Sequence, residues 1–574
     1  KVFTVDAMTG AVLGSVSVGS VPRGVALRQP SGASSLEAWS HNSVENSISV
    51  VSLADLESPA LVTTVALDDP TPTLVKQGRI AFNSATASST ETFACASCHP
   101  SGNTDQLLWV LGAPPCATEA PTWSIEGCDQ VSPRSTQPIR GLRDTEPYHW
   151  DGIPGDPFGG PNGEYPMGPD QEANCTDAHS CLRVLIDGAL ESTMCDLSNC
   201  PVNEEGKGGL LGAQERDAMV EFLLSVPYPT GRERPFDDHL TALAREGFFQ
   251  YFDNDAVPSC GRVGCHQMPL SASTNSQLLG LDAPTFRGLT DRWVLRPQGP
   301  HNLIEYVSNQ GPEDVEVPFD YDEGYSELNM FALEAFGTVE NPGAFRLESG
   351  FGPMGPWQMF LEASTGFSGA FARQTTLSES TTVGPQLVAL EQLVAALESA
   401  DAQGSVVLQG EGLHTTASEA SPVVFSFEDD GYLEHVSGQT YSRADLIQMA
   451  AAGELVLTLT GRIGTAVGVD SPQPLLWSPL DPDVGMVRHD FPRLPAENPM
   501  VINGDHIPPG AYVIIDGERV DATISCETGG TLPDCTDDFI SIDLTSPPTE
   551  LGMHLLQVQT PNGLLSNEFL IFVE

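Results

Sequence analysis

The sequence predicts a multidomain chain in which two mainly α-helical units are flanked by β-structure. At 574 residues, the chain is too long for one hydrophobic core and should divide into about three to five domains. Short strands with alternating polarity open and close it, which indicates β elements at both ends. In the middle, two helical segments each precede a cysteine pair that ends in Cys-His, so one helical unit is expected to occur twice.

Residues 1–67 are expected to be all-β. Two apolar strands, Val2–Asp6 and Ile48–Val51, are each followed by a turn. A second strand then follows each turn, over Val12–Val18 and Leu61–Leu67. The two copies are offset by about 46 residues, a period typical of propeller blades. The segment VFTVDAMTGAVLGSVSVGSVPRGVAL resembles the YVTN-type β-propeller repeat. That resemblance implies partial propeller blades with the other blades upstream, or a small β cap.

Residues 68–230 and 231–383 are expected to form the two helical domains. Helical periodicity marks three segments there: Leu74–Phe82, Ala213–Val226 and Leu240–Phe252. After its Cys-His motif, each domain carries a related segment, QPIRGL at 137–142 and APTFRGL at 283–289. This repetition indicates the duplication of one unit.

The C-terminal part is expected to contain two further domains. Residues 384–485 predict a small mixed α/β unit with no assigned role, in which Ser442 caps a helix with Asp445 at the third position after it. Residues 486–574 show strand alternation in AYVIIDG, HLLQVQTPNG and EFLIFVE. They resemble an IPT/TIG domain, which implies an immunoglobulin-like β-sandwich with a structural or adhesive role.

The chain is strongly acidic. It has 25 Lys and Arg against 77 Asp and Glu, a formal net charge of −52 at pH 7. Such a surface repels phosphate backbones, so we expect no nucleic-acid partner. It favours a basic redox partner or a salty environment. The sequence contains no run of 18 apolar residues, so a membrane-spanning helix is not expected, although association with a surface remains open.

The 12 cysteines fall in close pairs. Two pairs end in Cys-His, and the other four are expected to form short-range disulfides, which indicate an oxidising compartment. The four expected bridges are Cys116–Cys128, Cys175–Cys181, Cys195–Cys200 and Cys526–Cys535. We therefore expect an exported protein, periplasmic or at the cell surface. The chain opens directly in a strand without a signal peptide, so its start is expected to be processed or truncated.

The motif CASCH at 95–99 has the spacing of covalent haem attachment. Two thiols on one turn can reach the two vinyl groups, and the imidazole that follows can meet the iron. Zinc and redox disulfides share this cysteine spacing, but close additional ligands and a βαβ context are missing. The second motif, CGRVGCH at 260–266, has four intervening residues. Its alternative is a short disulfide beside a surface histidine, and the repeated flanking segments favour haem. We predict two haem c groups, one on Cys95, Cys98 and His99 and one on Cys260, Cys265 and His266.

Between about residues 70 and 300 the sequence resembles the di-haem cytochrome c peroxidase family. The segments that carry the resemblance are CASCHPSGNTD, TQPIRGLRDTEPYHWDG, LLGAQERDAMVEFLLSVP, CHQMP and APTFRGLTDRW. The resemblance implies two mainly α cytochrome c-like haem domains that face one another. Electrons would pass between the haems and to a soluble partner, such as a small basic cytochrome.

The same resemblance implies a set of iron ligands. His99 and His266 match the proximal ligands, and Met194 is the best match for the distal ligand of the first haem. Met167 competes with Met194, and either methionine could instead fill the core. For the distal side of the second haem the candidates are His301, Met330, Met354 and Met359.

Other residues of the matching segments are candidates by resemblance alone. His149 could be a distal ligand or a haem-propionate partner, and Trp150 could lie between the haems. Arg140 and Arg287 hold equivalent places and would pair with propionates, unless they are ordinary surface arginines. Glu164 is the nearest candidate for a catalytic carboxylate, but it lies in the unit whose haem is expected to have a methionine ligand.

Three functions follow from these features. The favoured hypothesis is an exported di-haem electron carrier with β domains that position it. The second is a peroxidase-like oxidoreductase that reduces hydrogen peroxide, which requires an open iron position. The third is an adhesive or structural surface protein that carries haems.

Overall fold

The computed structural model describes seven stretches of the chain, apart from residues 33, 70, 106, 197, 417–418 and 537–538. The stretches are 1–110, 133–144, 148, 177–252, 354–463, 473–477 and 491–574. They belong to two compact units. The first comprises Lys1–Arg143, Met167–Pro227 and Pro297–Gly299, and the second comprises Asp144–Pro166, Tyr228–Arg296 and Pro300–Glu574.

The described residues contain eight α-helices and 25 strands. The helices are α1 Thr73–Asn83, α2 Cys95–Cys98, α3 Ala178–Glu191, α4 Ala213–Ser225, α5 Ala242–Phe252, α6 Met354–Glu362, α7 Gly384–Ala402 and α8 Arg443–Ala451. The strands of the first unit are β1 Val2–Val5, β2 Val12–Val16, β3 Pro22–Arg28, β4 Glu37–Asn42, β5 Ser47–Ser52, β6 Ala60–Ala66, β7 Leu108–Val110 and β8 Pro133–Ser135. No helix in these stretches is both long and apolar enough to cross a bilayer.

The second unit contains the other 17 strands. They are β9 Gln374–Leu377, β10 Val407–Thr415, β11 Ala420–Glu428, β12 Gly431–Glu434, β13 Thr440–Tyr441, β14 Leu455–Arg462, β15 Leu475–Trp477, β16 Arg493–Leu494, β17 Met500–Asp505, β18 Tyr512–Ile515, β19 Glu518–Val520, β20 Ala522–Cys526, β21 Gly530–Thr531, β22 Asp534–Cys535, β23 Phe539–Leu544, β24 Gly552–Gln559 and β25 Phe569–Val573.

The predicted fold class was wrong. Within the described residues the chain is mostly β, with strands in seven sheets, and it is not built from two mainly α cytochrome c-like haem domains. Helical periodicity finds single helices but does not show what they pack against. In the second unit, α5 and α6 contact the C-terminal strands, and α7 and α8 cover a six-stranded sheet.

The N-terminal strands form two antiparallel sheets. Strands β1 and β2 make a hairpin, and β3–β6 make a four-stranded meander in sequential order. The strands predicted at positions 2, 12, 48 and 61 are confirmed, whereas β3 and β4 were missed. The signal of β3 is weak because the strand is almost entirely exposed. The signal of β4 is weak because part of its buried side is polar: Asn42 Nδ2 donates to Ser47 Oγ and Ser49 Oγ, each at 2.9 Å. A four-stranded meander has the size of one propeller blade, but membership of a propeller stays a prediction.

In the first unit, helices α1 and α4 cross in close contact. A Cβ atom added at Gly78 would lie 1.8 Å from the carbonyl oxygen of Ala218 and 2.8 Å from Cβ of Phe222. Only glycine fits at this crossing. Helix α4 is also tied to α3, because the buried Arg216 donates to Asp187 Oδ1 at 2.7 Å and to the carbonyl oxygen of Gly208 at 2.7 Å.

Helices α5 and α6 of the second unit cross in the same way. A Cβ atom at Gly247 would lie 2.0 Å from the carbonyl oxygen of Gly355 and 2.9 Å from Cβ of Met359. In both pairs, a glycine of the first helix meets the carbonyl of one residue and the Cβ of the residue four positions later. The two helix pairs are therefore equivalent. In sequence, each pair encloses one Cys-His motif.

The α5–α6 pair packs on the last strands of the chain. Phe248 and Tyr251 of α5 share a buried apolar cluster with Phe360, Leu555 and Leu570. Beside this cluster, Arg234 is completely buried and binds two buried carboxylates, Asp238 at 2.7 Å and Glu568. Burial opposes the charge of Arg234, but these carboxylates outweigh it and raise the pKa of the guanidinium.

The C-terminal half of the second unit contains two layered structures. Six antiparallel strands in the order β13-β12-β11-β10-β14-β9 share a core with α7 and α8. Sheets β15-β17-β23-β20 and β16-β25-β24-β18-β19 share another core, so they pack as a β-sandwich. The predicted cap of Ser442 is confirmed: its Oγ accepts from the backbone N–H of Asp445 at 3.2 Å. The IPT/TIG resemblance stays a prediction.

The crossing at Gly78 predicts opposite effects for two Gly→Ala substitutions. We expect Gly78→Ala to lower the free energy of unfolding by about 1–3 kcal/mol, because its methyl group overpacks the α1–α4 contact. Gly188→Ala in α3 should raise it by roughly 0.5–1 kcal/mol, because the added Cβ has open space around it and alanine favours the helix. Urea denaturation followed by circular dichroism measures both. Equal effects of the two substitutions would contradict the described crossing.

A second stability prediction concerns Arg234. Arg234→Met should cost about 3–5 kcal/mol, because Asp238 and Glu568 would keep buried charges without their partner. The control is Arg462→Met, which removes an exposed pair with Glu411 and should cost less than about 1 kcal/mol. Both variants are compared by chemical denaturation of the full chain. A cost for Arg234→Met no larger than that of the control would show that the buried pairing is not formed.

Candidate functional site

Cys95, Cys98 and His99 lie on one short helical element in the first unit. Helix α2 runs from Cys95 to Cys98, and the backbone N–H of His99 donates to the carbonyl oxygen of Cys95 at 3.0 Å. Ser97 Oγ caps the helix by accepting from the backbone N–H of Ala94 at 3.1 Å. Residues at spacings of three and four share one side of a helical turn. Cys95 and Cys98, at a spacing of three, therefore lie on the same side of the turn, and His99 follows directly at its end.

Both cysteines of this turn are free thiols, in contrast to the other cysteines that the structure describes. Burial raises the pKa of Cys95 to about 11. Burial also raises the pKa of Cys98, and the carboxylate of Asp105 adds to that effect. At neutral pH both groups therefore carry their proton.

The His99 ring is buried in a largely apolar environment. Burial lowers the pKa of the imidazole, and the backbone of Gln137 and the charge of Asp105 act in the opposite direction. Nδ1 is buried and finds no hydrogen-bond partner of good geometry among the described residues. The Phe82 ring lies 6.3 Å from the His99 ring and 5.5 Å from the ring of Phe222. The lowered pKa keeps the imidazole neutral at pH 7, and its Nδ1 carries no hydrogen bond of good geometry within the described residues.

The predicted residue Arg140 lies beside this turn. Its Nη2 and Nε atoms donate to the carbonyl oxygen of Ser101 at 3.0 and 3.3 Å. The neighbouring Ile139 donates its backbone N–H to the carbonyl oxygen of Gly102 at 3.0 Å, and Gly141 does the same to Val226 at 2.8 Å. The segment 137–141 thus connects the loop after His99 with the end of α4.

Met194 lies in residues 192–196, the Met194 segment, which contacts the loop before Cys95. The residue is 6% exposed, and its carbonyl oxygen accepts from the backbone N–H of Ser89 at 2.8 Å. The backbone N–H of Asp196 donates to Ser89 Oγ at 2.7 Å. The predicted bridge Cys195–Cys200 is confirmed, with the two Cα atoms 5.5 Å apart. The first unit therefore brings Met194 and the CASCH turn into one connected region.

Several predicted site residues lie outside the described residues. They are Cys260, Cys265, His266, Arg287, His149, Trp150, Glu164, His301 and Met330. Met359 is buried at the α5–α6 crossing, where it occupies the position equivalent to Phe222 and acts in packing.

The disulfide predictions are confirmed where they can be compared. Cys526–Cys535 forms as predicted. Cys181 is also disulfide-bonded, and its predicted partner Cys175 lies outside the described residues.

Sequence reasoning missed Ser89, Phe82 and Gln137 as parts of this region. Ser89 stands in the polar run SSTET, which reads as an ordinary loop, so nothing in the sequence distinguishes it. Phe82 reads as a core residue of a helix. The zinc alternative gains no support in the described stretches, since they contain no group of three or more His, Cys, Asp and Glu arranged to hold a metal ion.

No family model matches the chain. No curated protein matches it either. Among solved structures, the chain is similar to hydrazine synthase from Kuenenia stuttgartiensis, with 21% sequence identity and a TM-score of 0.23. The match covers 35% of this chain and 50% of that chain, so it spans about half the length of the solved protein. At this TM-score the similarity carries no argument about function.

The cysteine assignment of the first unit can be checked directly. Proteolysis of the mature protein without reductant should give a peptide pair linked through Cys195 and Cys200, and a second pair linked through Cys526 and Cys535, because these bridges are closed in the fold. Mass spectrometry before and after reduction identifies the pairs. A disulfide from Cys95 or Cys98 to any other cysteine would contradict the structure, in which neither residue forms a bridge.

Proposed function

We propose that the chain is an exported c-type cytochrome with two covalently attached haem c groups, and that it transfers electrons between redox partners. The observation that carries the proposal is the CASCH turn of the first unit. There, two free thiols lie on one side of a single helical turn, and a buried neutral imidazole follows at its end.

Covalent attachment at this turn needs no oxidant. Each thiol would add its sulfur to one carbon of a vinyl group and its proton to the other, so a thioether forms without net oxidation. The raised pKa values of Cys95 and Cys98 keep those protons on sulfur at neutral pH. The neutral His99 offers a nitrogen lone pair to iron without first losing a proton. When bound, a haem supplies one-electron exchange between ferric and ferrous iron.

Other side chains of the first unit would support the group. Arg140, which contacts the loop at Ser101, would place a guanidinium next to a propionate, a pairing that its planar fork suits. Phe82 and Phe222 would exclude water from the His99 side. Met194 is the proposed sixth ligand, because its segment is hydrogen-bonded to the loop that leads into Cys95. A thioether ligand favours ferrous iron and raises the reduction potential.

The second attachment site is proposed at Cys260, Cys265 and His266. Support comes from the equivalent helix crossings at Gly78 and Gly247, since each crossing pair encloses one Cys-His motif in sequence. The related segments QPIRGL and APTFRGL, which follow the two motifs in the sequence, also support a second site.

The proposed partner is a basic redox protein in an oxidising compartment. A net charge of −52 attracts basic surfaces and accelerates their association at low salt. The disulfides Cys195–Cys200 and Cys526–Cys535 support export.

A haem count tests this proposal. Alkaline pyridine haemochrome spectra and the intact mass of the mature protein should give two haems per chain. Cys95→Ser combined with Cys98→Ser should leave one haem, because the first turn then has no thiol for the vinyl groups. Cys260→Ser combined with Cys265→Ser should also leave one.

The matched control is Cys526→Ser combined with Cys535→Ser, which removes two cysteines of a disulfide and should leave the count at two. A colourless wild-type protein, or one with the mass of the bare polypeptide, would overturn the proposal. Peroxide consumption by the reduced protein would replace the electron carrier with the peroxidase-like enzyme.

A further inference from the structure

Ser89 holds the Met194 segment with two hydrogen bonds. Its backbone N–H donates to the carbonyl oxygen of Met194 at 2.8 Å. Its hydroxyl accepts from the backbone N–H of Asp196 at 2.7 Å. One serine thereby contacts the residues on both sides of Cys195, although it lies more than 100 positions earlier in the sequence.

The loop from Ser89 to Cys95 is itself well fixed. The adjacent Ser88 is completely buried, and its Oγ accepts from the backbone N–H groups of Thr92 and Phe93 at 3.3 and 3.5 Å. Ala94 then leads directly into α2. The position of Ser89 is therefore set by the same loop that sets the position of the CASCH turn.

The Met194 segment is also fixed on its other side. The backbone N–H of Met194 donates to the carbonyl oxygen of Ala189 in α3 at 2.9 Å. The disulfide Cys195–Cys200 closes the segment immediately after Met194. Met194 thus has restraints from α3, from the disulfide and from Ser89. Of these three restraints, the hydrogen bonds to Ser89 connect Met194 to the loop that precedes the CASCH turn.

We infer that Ser89 is a positioning residue for the distal iron ligand: it fixes the Met194 segment relative to the turn that bears Cys95, Cys98 and His99. The inference rests on the proposed function. Ser89 itself does not touch the haem in this account. It acts through the backbone of Met194 and Asp196, so its loss should weaken the bond between methionine and iron without removing the haem.

The test is the substitution Ser89→Ala in the full-length mature protein. It removes the hydroxyl acceptor and keeps the backbone N–H. The loss of one hydrogen bond changes an equilibrium constant by about a factor of five. Cyanide competes with methionine for the iron, so the affinity of the ferric protein for cyanide should rise about fivefold. The weak near-infrared charge-transfer band of methionine-ligated ferric haem should lose intensity. Hydrogen exchange at the Asp196 amide should become faster.

Three variants serve as controls. Ser89→Thr keeps the hydroxyl and should restore the band and the cyanide affinity. Ser192→Ala removes a hydroxyl that donates to the carbonyl oxygen of Gly188 in α3 at 2.6 Å, and should change neither. Met194→Ala should abolish the band of the first haem while thioether attachment persists.

The outcomes separate this inference from the proposed function. Absence of haem from the wild-type protein overturns both. Bound haem with a band whose intensity is unchanged in Met194→Ala overturns Met194 as the ligand, and with it the role of Ser89. A band that loses intensity in Met194→Ala but is unchanged in Ser89→Ala overturns the role of Ser89 alone.

Discussion

The contact between α1 and α4 at Gly78 is the constraint on which the first unit depends. Because no side chain separates the two helices there, the end of α1 brings Phe82 against both Phe222 and His99. At the end of α4, the carbonyl oxygen of Val226 accepts from the backbone N–H of Gly141. This bond holds the segment with Arg140 next to the loop after His99. The buried Arg216 binds Asp187 of α3, and the Met194 segment begins at the end of that helix. One close helix crossing thus determines where the thiols, the imidazole and Met194 lie within the unit.

The second unit uses the same crossing in a different environment. Gly247 meets Gly355 and Met359 just as Gly78 meets Ala218 and Phe222. There the helix pair packs on strands of a β-sandwich, and the buried Arg234 joins Asp238 to Glu568 of the C-terminal segment through ion pairs beside that contact. Such a pair is costly to break once it is buried, so it specifies one arrangement of helices and strands. The two units therefore share the contact geometry of one helix crossing, whereas the layers around it differ.

Local features of the fold were predictable from the sequence, and its packing was not. The strands near residues 2, 12, 48 and 61 and the helices α4 and α5 follow from periodicity, and Cys195–Cys200 and Cys526–Cys535 follow from proximity. The fold class failed because periodicity does not show whether a helix packs on helices or on a sheet. At the candidate site, the CASCH spacing predicted the short turn that carries Cys95, Cys98 and His99, whereas the hydrogen bonds of Ser89 lie in a polar loop that the sequence does not distinguish. A glycine inside a helix counts against helix formation, so the importance of Gly78 appears only once its neighbour across the crossing is known.

The central claim is that Cys95 and Cys98 are covalently linked to a haem whose iron is bound by His99. Tandem mass spectrometry of the proteolytic peptide that contains these three residues tests it most directly. We expect one haem on this peptide, with both thioether positions assigned to Cys95 and Cys98. Recovery of the peptide with two free thiols, or with a disulfide between them, from protein matured in an export-competent host would contradict it.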